Sequence, residues 1–174
     1  MSSVETIRKM SPLVHNITNY VVMNTTANAL LALGASPVMA HAKEEVRDMV
    51  ALAGALVINL GTLSQSWVES AFIAAEAATA RGVPVIVDPV GAGATPYRTA
   101  TFRDLIRSYP PTVIRGNASE IMALTTEAAT TKGVDSTDAS HQALDAAFSL
   151  TGEFGSVVCI SGETDYVAVS YTHL

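Results

Sequence analysis

Short apolar runs rich in β-branched residues recur along this chain, each followed by a stretch with helical spacing, and that alternation restricts the fold more than any other feature. Ala55-Leu-Val-Ile-Asn-Leu60 and Val83-Pro-Val-Ile-Val87 read as strands, as do residues 112–115 and the segment around Cys159. Residues 11–19 read as a short extended piece and 35–39 as a brief strand. Helical spacing covers 20–33, 44–53, 64–81, 98–108, a segment from Ala118 and 138–150, with Gly34 and Gly82 as helix stops. Ser66 and Glu69 have capping-box spacing. Strands alternating with helices specify an α/β fold, a mainly parallel sheet flanked by helices and joined by right-handed crossovers. The loops are short and no repeat is present, so residues 1–174 read as a single domain, with 125–137 loop-like.

A chain of 174 residues, 49% of them apolar and only 15% charged, can bury a substantial core and cover a sheet on both faces. The net charge of −6, with no basic cluster denser than that of residues 103–107, argues against a nucleic-acid partner or an anionic membrane. The N-terminal residues lack the apolar core of a signal peptide, and no later stretch is long enough to span a membrane, so the cytoplasm is expected. The single cysteine, Cys159, lies in an apolar strand with no cation beside it and reads as a core residue. The histidines, His15, His41, His141 and His173, are scattered without metal-ligand spacing and read as structural or solvated.

The chemistry gathers where strands end. Asn59, Asp88, Arg115 with Asn117, and Ser161 all fall at or just past the C-terminal end of a strand, the edge at which parallel α/β sheets bind ligands. Two carboxylates, Asp88 and Glu120, with the Arg115 cation suit a phosphate-bearing substrate and a divalent metal. Structural readings stand beside these. Asp88 can serve only to cap the turn before Pro89, and Asn117-Ala-Ser-Glu120 has the spacing of a helix cap with a reciprocal acid, a role that can coexist with ligand binding. Asn24, Thr25, Thr26 and Asn28 form either a polar pocket wall or plain solvated helix surface. Gly91-Ala-Gly93 belongs to neither a dinucleotide fingerprint nor a Walker loop, since Pro96 stands where the former needs glycine and no Gly-Lys-Ser/Thr follows. A Rossmann oxidoreductase is a disfavoured rival, since it needs that glycine pattern and a ribose-binding acid after the first strand, and neither is found.

Ser11-Pro-Leu-Val-His-Asn-Ile-Thr-Asn19, Ala29-Leu-Leu-Ala-Leu-Gly-Ala-Ser-Pro-Val-Met-Ala-His41, Asp88-Pro-Val-Gly-Ala-Gly-Ala-Thr95 and Ile114-Arg-Gly-Asn-Ala-Ser-Glu120 together resemble the hydroxyethylthiazole kinases of thiamine biosynthesis and salvage. The resemblance implies a ribokinase-like, three-layer α/β/α fold. It further implies ATP- and Mg²⁺-dependent phosphorylation of 4-methyl-5-(2-hydroxyethyl)thiazole, in a homotrimer with active sites between subunits. Met39, through its backbone, and Asn19 would then meet the thiazole, Arg115 and Ser161 would bind ATP, and Asp88, Asn117 and Glu120 would lie at the metal. Ser161 stands where the family usually has threonine. The family's Gly-Thr-Gly-Cys-like loop, which carries the catalytic residue, has no counterpart here, and residues 168–174 form an atypical tail. A C-terminally truncated, weak or inactive fragment is therefore expected, with no catalytic residue present. The alternatives are a non-catalytic thiazole-binding or assembly module, told apart by thiazole binding without ATP turnover, and a related kinase of another small alcohol.

Overall fold

The computed structural model describes residues 2–125 and 136–170. The chain divides into two compact units, residues 1–86 and 87–174, with the boundary inside one strand. The expected α/β alternation is present in both.

The first unit opens with helix α1 (Ser3–Met10), where the sequence suggests only a polar start. Its signal is a capping box: Ser2 Oγ accepts from Glu5 N–H, and Glu5 Oε2 accepts from Ser2 N–H at 2.8 Å. Strand β1 (Leu13–Ile17), helix α2 (Met23–Leu33), strand β2 (Ser36–Val38), helix α3 (Val46–Leu52), strand β3 (Ala55–Asn59) and helix α4 (Gln65–Arg81) follow. The strand order is β2-β1-β3, and both pairings are parallel. Strand β4 (Val85–Asp88) starts beside β3, where Leu56 N–H donates to Pro84 O at 2.9 Å, and carries on into the second unit. Ala71, Ala74, Ala75 and Ala78 recur on one face of α4 and are buried. With only a methyl group at each, the helix can lie close to its neighbours, among them β1, β3 and α3.

The cap of α4 corrects the expectation built on Ser66 and Glu69. Ser64 Oγ, not Ser66, accepts from Trp67 N–H, while Glu69 accepts from Gln65 Nε2–H and pairs with Lys43. Spacing alone could not separate two serines two residues apart.

In the second unit the order continues β4-β5-β6-β7 through helix α5 (Pro96–Ser108), strand β5 (Val113–Asn117), helix α6 (Ala118–Thr125), helix α7 (Ser136–Phe154), strand β6 (Val157–Ser161) and strand β7 (Tyr166–Ala168). β5 and β6 are parallel, but β7 returns antiparallel along β6, an addition the alternation did not foretell. The loop expected over 125–137 is helical at both of its ends, since α6 runs to Thr125 and α7 starts at Ser136, and residues 126–135 lie outside the described ones. Phe102, Leu105, Ile106, Ile114, Ile121, Leu150 and Val158 form the core. Cys159 corrects its own expectation. It is half-buried, because Val158 and Ile160 take the covered face of β6 and leave Cys159 on the other.

Candidate functional site

Four strands end on the polar residues named in the sequence: β3 on Asn59, β4 on Asp88, β5 on Asn117 and β6 on Ser161. Arg115 falls instead at the middle of β5, which extends further than residues 112–115.

In the second unit, period-two alternation puts Ile114 and Gly116 on the covered face of β5 and turns Arg115 and Asn117 outward. The parallel register pairs Arg115 with Cys159 and Asn117 with Ser161, so Arg115, Asn117 and Ser161 share one face of the sheet. Ser161 Oγ–H donates to Gly116 O at 3.3 Å, and its residue helps line a cavity with Ala118, Gly162, Thr164 and Tyr166. Arg115 is exposed and forms no ion pair with a described residue. An exposed guanidinium without an ion pair is chemically able to pair with phosphate oxygens.

Glu120 holds this region together. Asn117 Oδ1 accepts from Glu120 N–H and Glu120 Oε2 accepts from Asn117 N–H, both at 2.9 Å, closing a reciprocal cap on α6. The other carboxylate oxygen accepts from Gly91 N–H at 2.8 Å, tying the loop after β4 to α6. Gly91 and Gly93 both have positive φ, 72° and 91°, which that loop requires. The glycines thus shape the backbone that meets Glu120, a link across 29 residues with no local sequence signal. Asp88, half-buried at the end of β4, opens the same loop.

Carboxylate and amide oxygens such as those of Asp88, Asn117 and Glu120 are of the chemical type that a hard cation such as Mg²⁺ takes. Among the described residues no three His, Cys, Asp or Glu side chains gather as a metal cage.

In the first unit, Asn19 is buried and donates through Nδ2–H to Asn59 Oδ1 at 2.8 Å, while its own Oδ1 accepts from Val21 and Val22 N–H. Gly61 lies against it: a Cβ at Gly61 would come within 2.6 Å of Asn19 Nδ2. Met39 leaves the end of β2 in a loop whose Ala40 carbonyl accepts from His15 Nε2–H at 2.7 Å. His15 is wholly buried on β1, so it is a structural histidine, and burial pushes its pKa below the usual value against the pull of Ala40 and Glu45. His41 is exposed and stacks flat on Trp67, centroids 4.2 Å apart and planes 5° off parallel, while Tyr20 meets Trp67 edge-on at 4.6 Å. This aromatic group, assembled from three separate segments, left no local sequence signal. Asn24 and Asn28, bonded to each other at 2.8 Å, are both exposed, the solvated reading of that helix. The side chain of His141 and the whole of His173 lie outside the described residues.

Strands that alternate with helices and end on Asn59, Asp88, Asn117 and Ser161 make this an α/β protein built on a mostly parallel sheet. Fold comparison agrees: phosphomethylpyrimidine kinase from Clostridium difficile 630 superposes with a TM-score of 0.63 over 92% of this chain and 81% of its own, at 13% identity, a likeness of fold alone. Sequence is more specific. Residues 4–173 match the hydroxyethylthiazole kinase family, and the chain belongs to it. It is 61% identical to the hydroxyethylthiazole kinase of Syntrophus aciditrophicus and 58% identical to that of Oleidesulfovibrio alaskensis, over 95% of this chain in each case. The structure of a hydroxyethylthiazole kinase protein from Pyrococcus horikoshii OT3 has a TM-score of 0.84 at 47% identity, over 95% of this chain and 61% of that one. The chain spans 62% of the length of the Syntrophus and Oleidesulfovibrio relatives.

Proposed function

We propose that the protein transfers the γ-phosphoryl group of ATP to the hydroxyl oxygen of 4-methyl-5-(2-hydroxyethyl)thiazole, forming the phosphate ester and ADP. Membership in the hydroxyethylthiazole kinase family, with 61% identity to a relative of that name across 95% of the chain, carries this reading.

The residues divide by task. In the first unit the backbone at Met39 and the clasped Asn19 receive the thiazole, the Asn19 amide being held from both ends by Asn59 and by the Val21 and Val22 N–H groups. In the second unit Arg115 pairs with phosphate oxygens, and the Ser161 hydroxyl, which donates to Gly116 O, keeps lone pairs for an incoming donor. Asp88, Asn117 and Glu120 are the residues that would hold Mg²⁺. When bound, the ion neutralises charge on the transferring phosphoryl group. Glu120 has a second task, since its bonds to Gly91 and Asn117 N–H keep the loop and the helix start in register. The same reading carries a homotrimer in the cytoplasm. Exposed Tyr20, Val21, Leu31 and Leu33 support an assembly, and no described helix is long and apolar enough to cross a membrane.

Titration calorimetry with each ligand alone tests this division. Asn19→Ala is expected to weaken binding of the thiazole alcohol while leaving ATP binding intact, and Arg115→Ala to do the reverse. Thiazole binding that ignores Asn19, or ATP binding that ignores Arg115, contradicts the assignment.

A further inference from the structure

We propose that His15 is a positioning residue for substrate binding, holding the backbone of the Met39–His41 loop in its binding shape through the Ala40 carbonyl. This role rests on the proposed meeting of the thiazole with the backbone at Met39.

The loop needs such a hold. β2 has three residues, all half-buried, and stands at the edge of its sheet with β1 as its neighbour. The register sets His15 opposite Val38, so the chain leaves the sheet directly past the imidazole. Beyond that point the loop is held from two sides. From the strand side, His15 Nε2–H donates to Ala40 O at 2.7 Å. From the helix side, His41 stacks on Trp67 of α4, and its Nδ1–H donates back to Met39 O at 3.2 Å.

The economy of His15 points the same way. A carbonyl only accepts, so the ring proton sits on Nε2 and Nδ1 carries a bare lone pair. That Nδ1 is buried with no partner among the described residues. Burying an unsatisfied polar atom is unfavourable, and an apolar side chain would fill the same space without that penalty. What the imidazole contributes that such a side chain cannot is the bond to Ala40. His15 is thus separated from ligand by the loop it holds, and it acts through that loop.

Trp67 is the only tryptophan in the chain and lies against His41, so its emission reports the loop without any ligand. The informative pair is His15→Gln, whose amide nitrogen reaches about as far as Nε2, and His15→Asn, which is equally polar but too short. His41→Ala, an exposed change, calibrates the emission of an unstacked Trp67. His15→Asn is expected to move the emission toward that of His41→Ala and to raise the dissociation constant for the thiazole alcohol about tenfold, on the scale of one lost hydrogen bond. His15→Gln should restore both, with ATP binding unchanged throughout. Wild-type emission in His15→Asn overturns the proposal, as does altered emission with wild-type thiazole affinity. If His15→Asn fails to fold, a folded His15→Gln with unstacked emission or weakened thiazole binding overturns it, and wild-type values for both support it. A wild-type chain that binds no thiazole alcohol, while His15→Asn still shifts the emission, removes the substrate reading and leaves the loop hold standing.

Discussion

His15 couples this fold to pH. Its imidazole is wholly buried and its pKa is lowered from 6.5, chiefly by desolvation, with the Ala40 bond and the Glu45 charge opposing. A group whose folded pKa lies below its unfolded one binds fewer protons in the native state, so stability rises with pH across the interval. The contribution is fully present above the unfolded value of 6.5 and is lost as pH falls below it toward the lowered folded value. Urea denaturation near pH 8 and near pH 5 should therefore show a less stable protein in acid. His15→Gln, which does not titrate, should show a smaller difference between the two. An equal pH dependence in the variant would mean that other groups set it.

At the scale of elements, caps and close approaches decide what a strand or helix can tolerate. Gly34 ends α2 at φ 98°, its N–H donating to the carbonyls of Leu30 and Leu31. A Cβ there would also fall 2.9 Å from the α-carbon of Arg8 in α1. Gly34→Ala therefore combines a left-handed backbone with a collision against main chain, and a loss of about 1–2 kcal/mol is expected in chemical denaturation. Full stability in this variant would show that α1 yields easily. Gly34 was legible as a helix stop because the signal is local. So were the ends of β3 and β4, and so was the reciprocal cap between Asn117 and Glu120, which needs only a spacing of three. The bond from Gly91 to Glu120, the Asn19–Asn59 clasp and the His41–Trp67 stack were not legible, because each joins residues 26 or more apart in the chain. Strand β7 escaped for another reason. It follows β6 with no helix between them, and an antiparallel return has no place in a βαβ alternation.

For the whole molecule, the parallel architecture was legible because each unit repeats the same strand–helix alternation, whereas the division at residue 86 was not, since it cuts through a strand without any change in composition. The proposed tasks follow that division, with the thiazole-binding residues in the first unit and the phosphate-binding residues in the second. Fold alone does not choose among alcohols, as the likeness to a phosphomethylpyrimidine kinase shows. The most direct test of the proposed activity is mass-spectrometric detection of phosphate esters after incubation with ATP, beside the full-length Syntrophus relative. The hydroxyethyl thiazole, a hydroxymethyl pyrimidine and pyridoxal are offered together, with Mg²⁺ present or chelated. Any ester formed is expected to be the thiazole phosphate, and chelation is expected to abolish it. A phosphate on the pyrimidine or pyridoxal instead, or no thiazole phosphate where the Syntrophus relative forms it, would contradict the proposed activity.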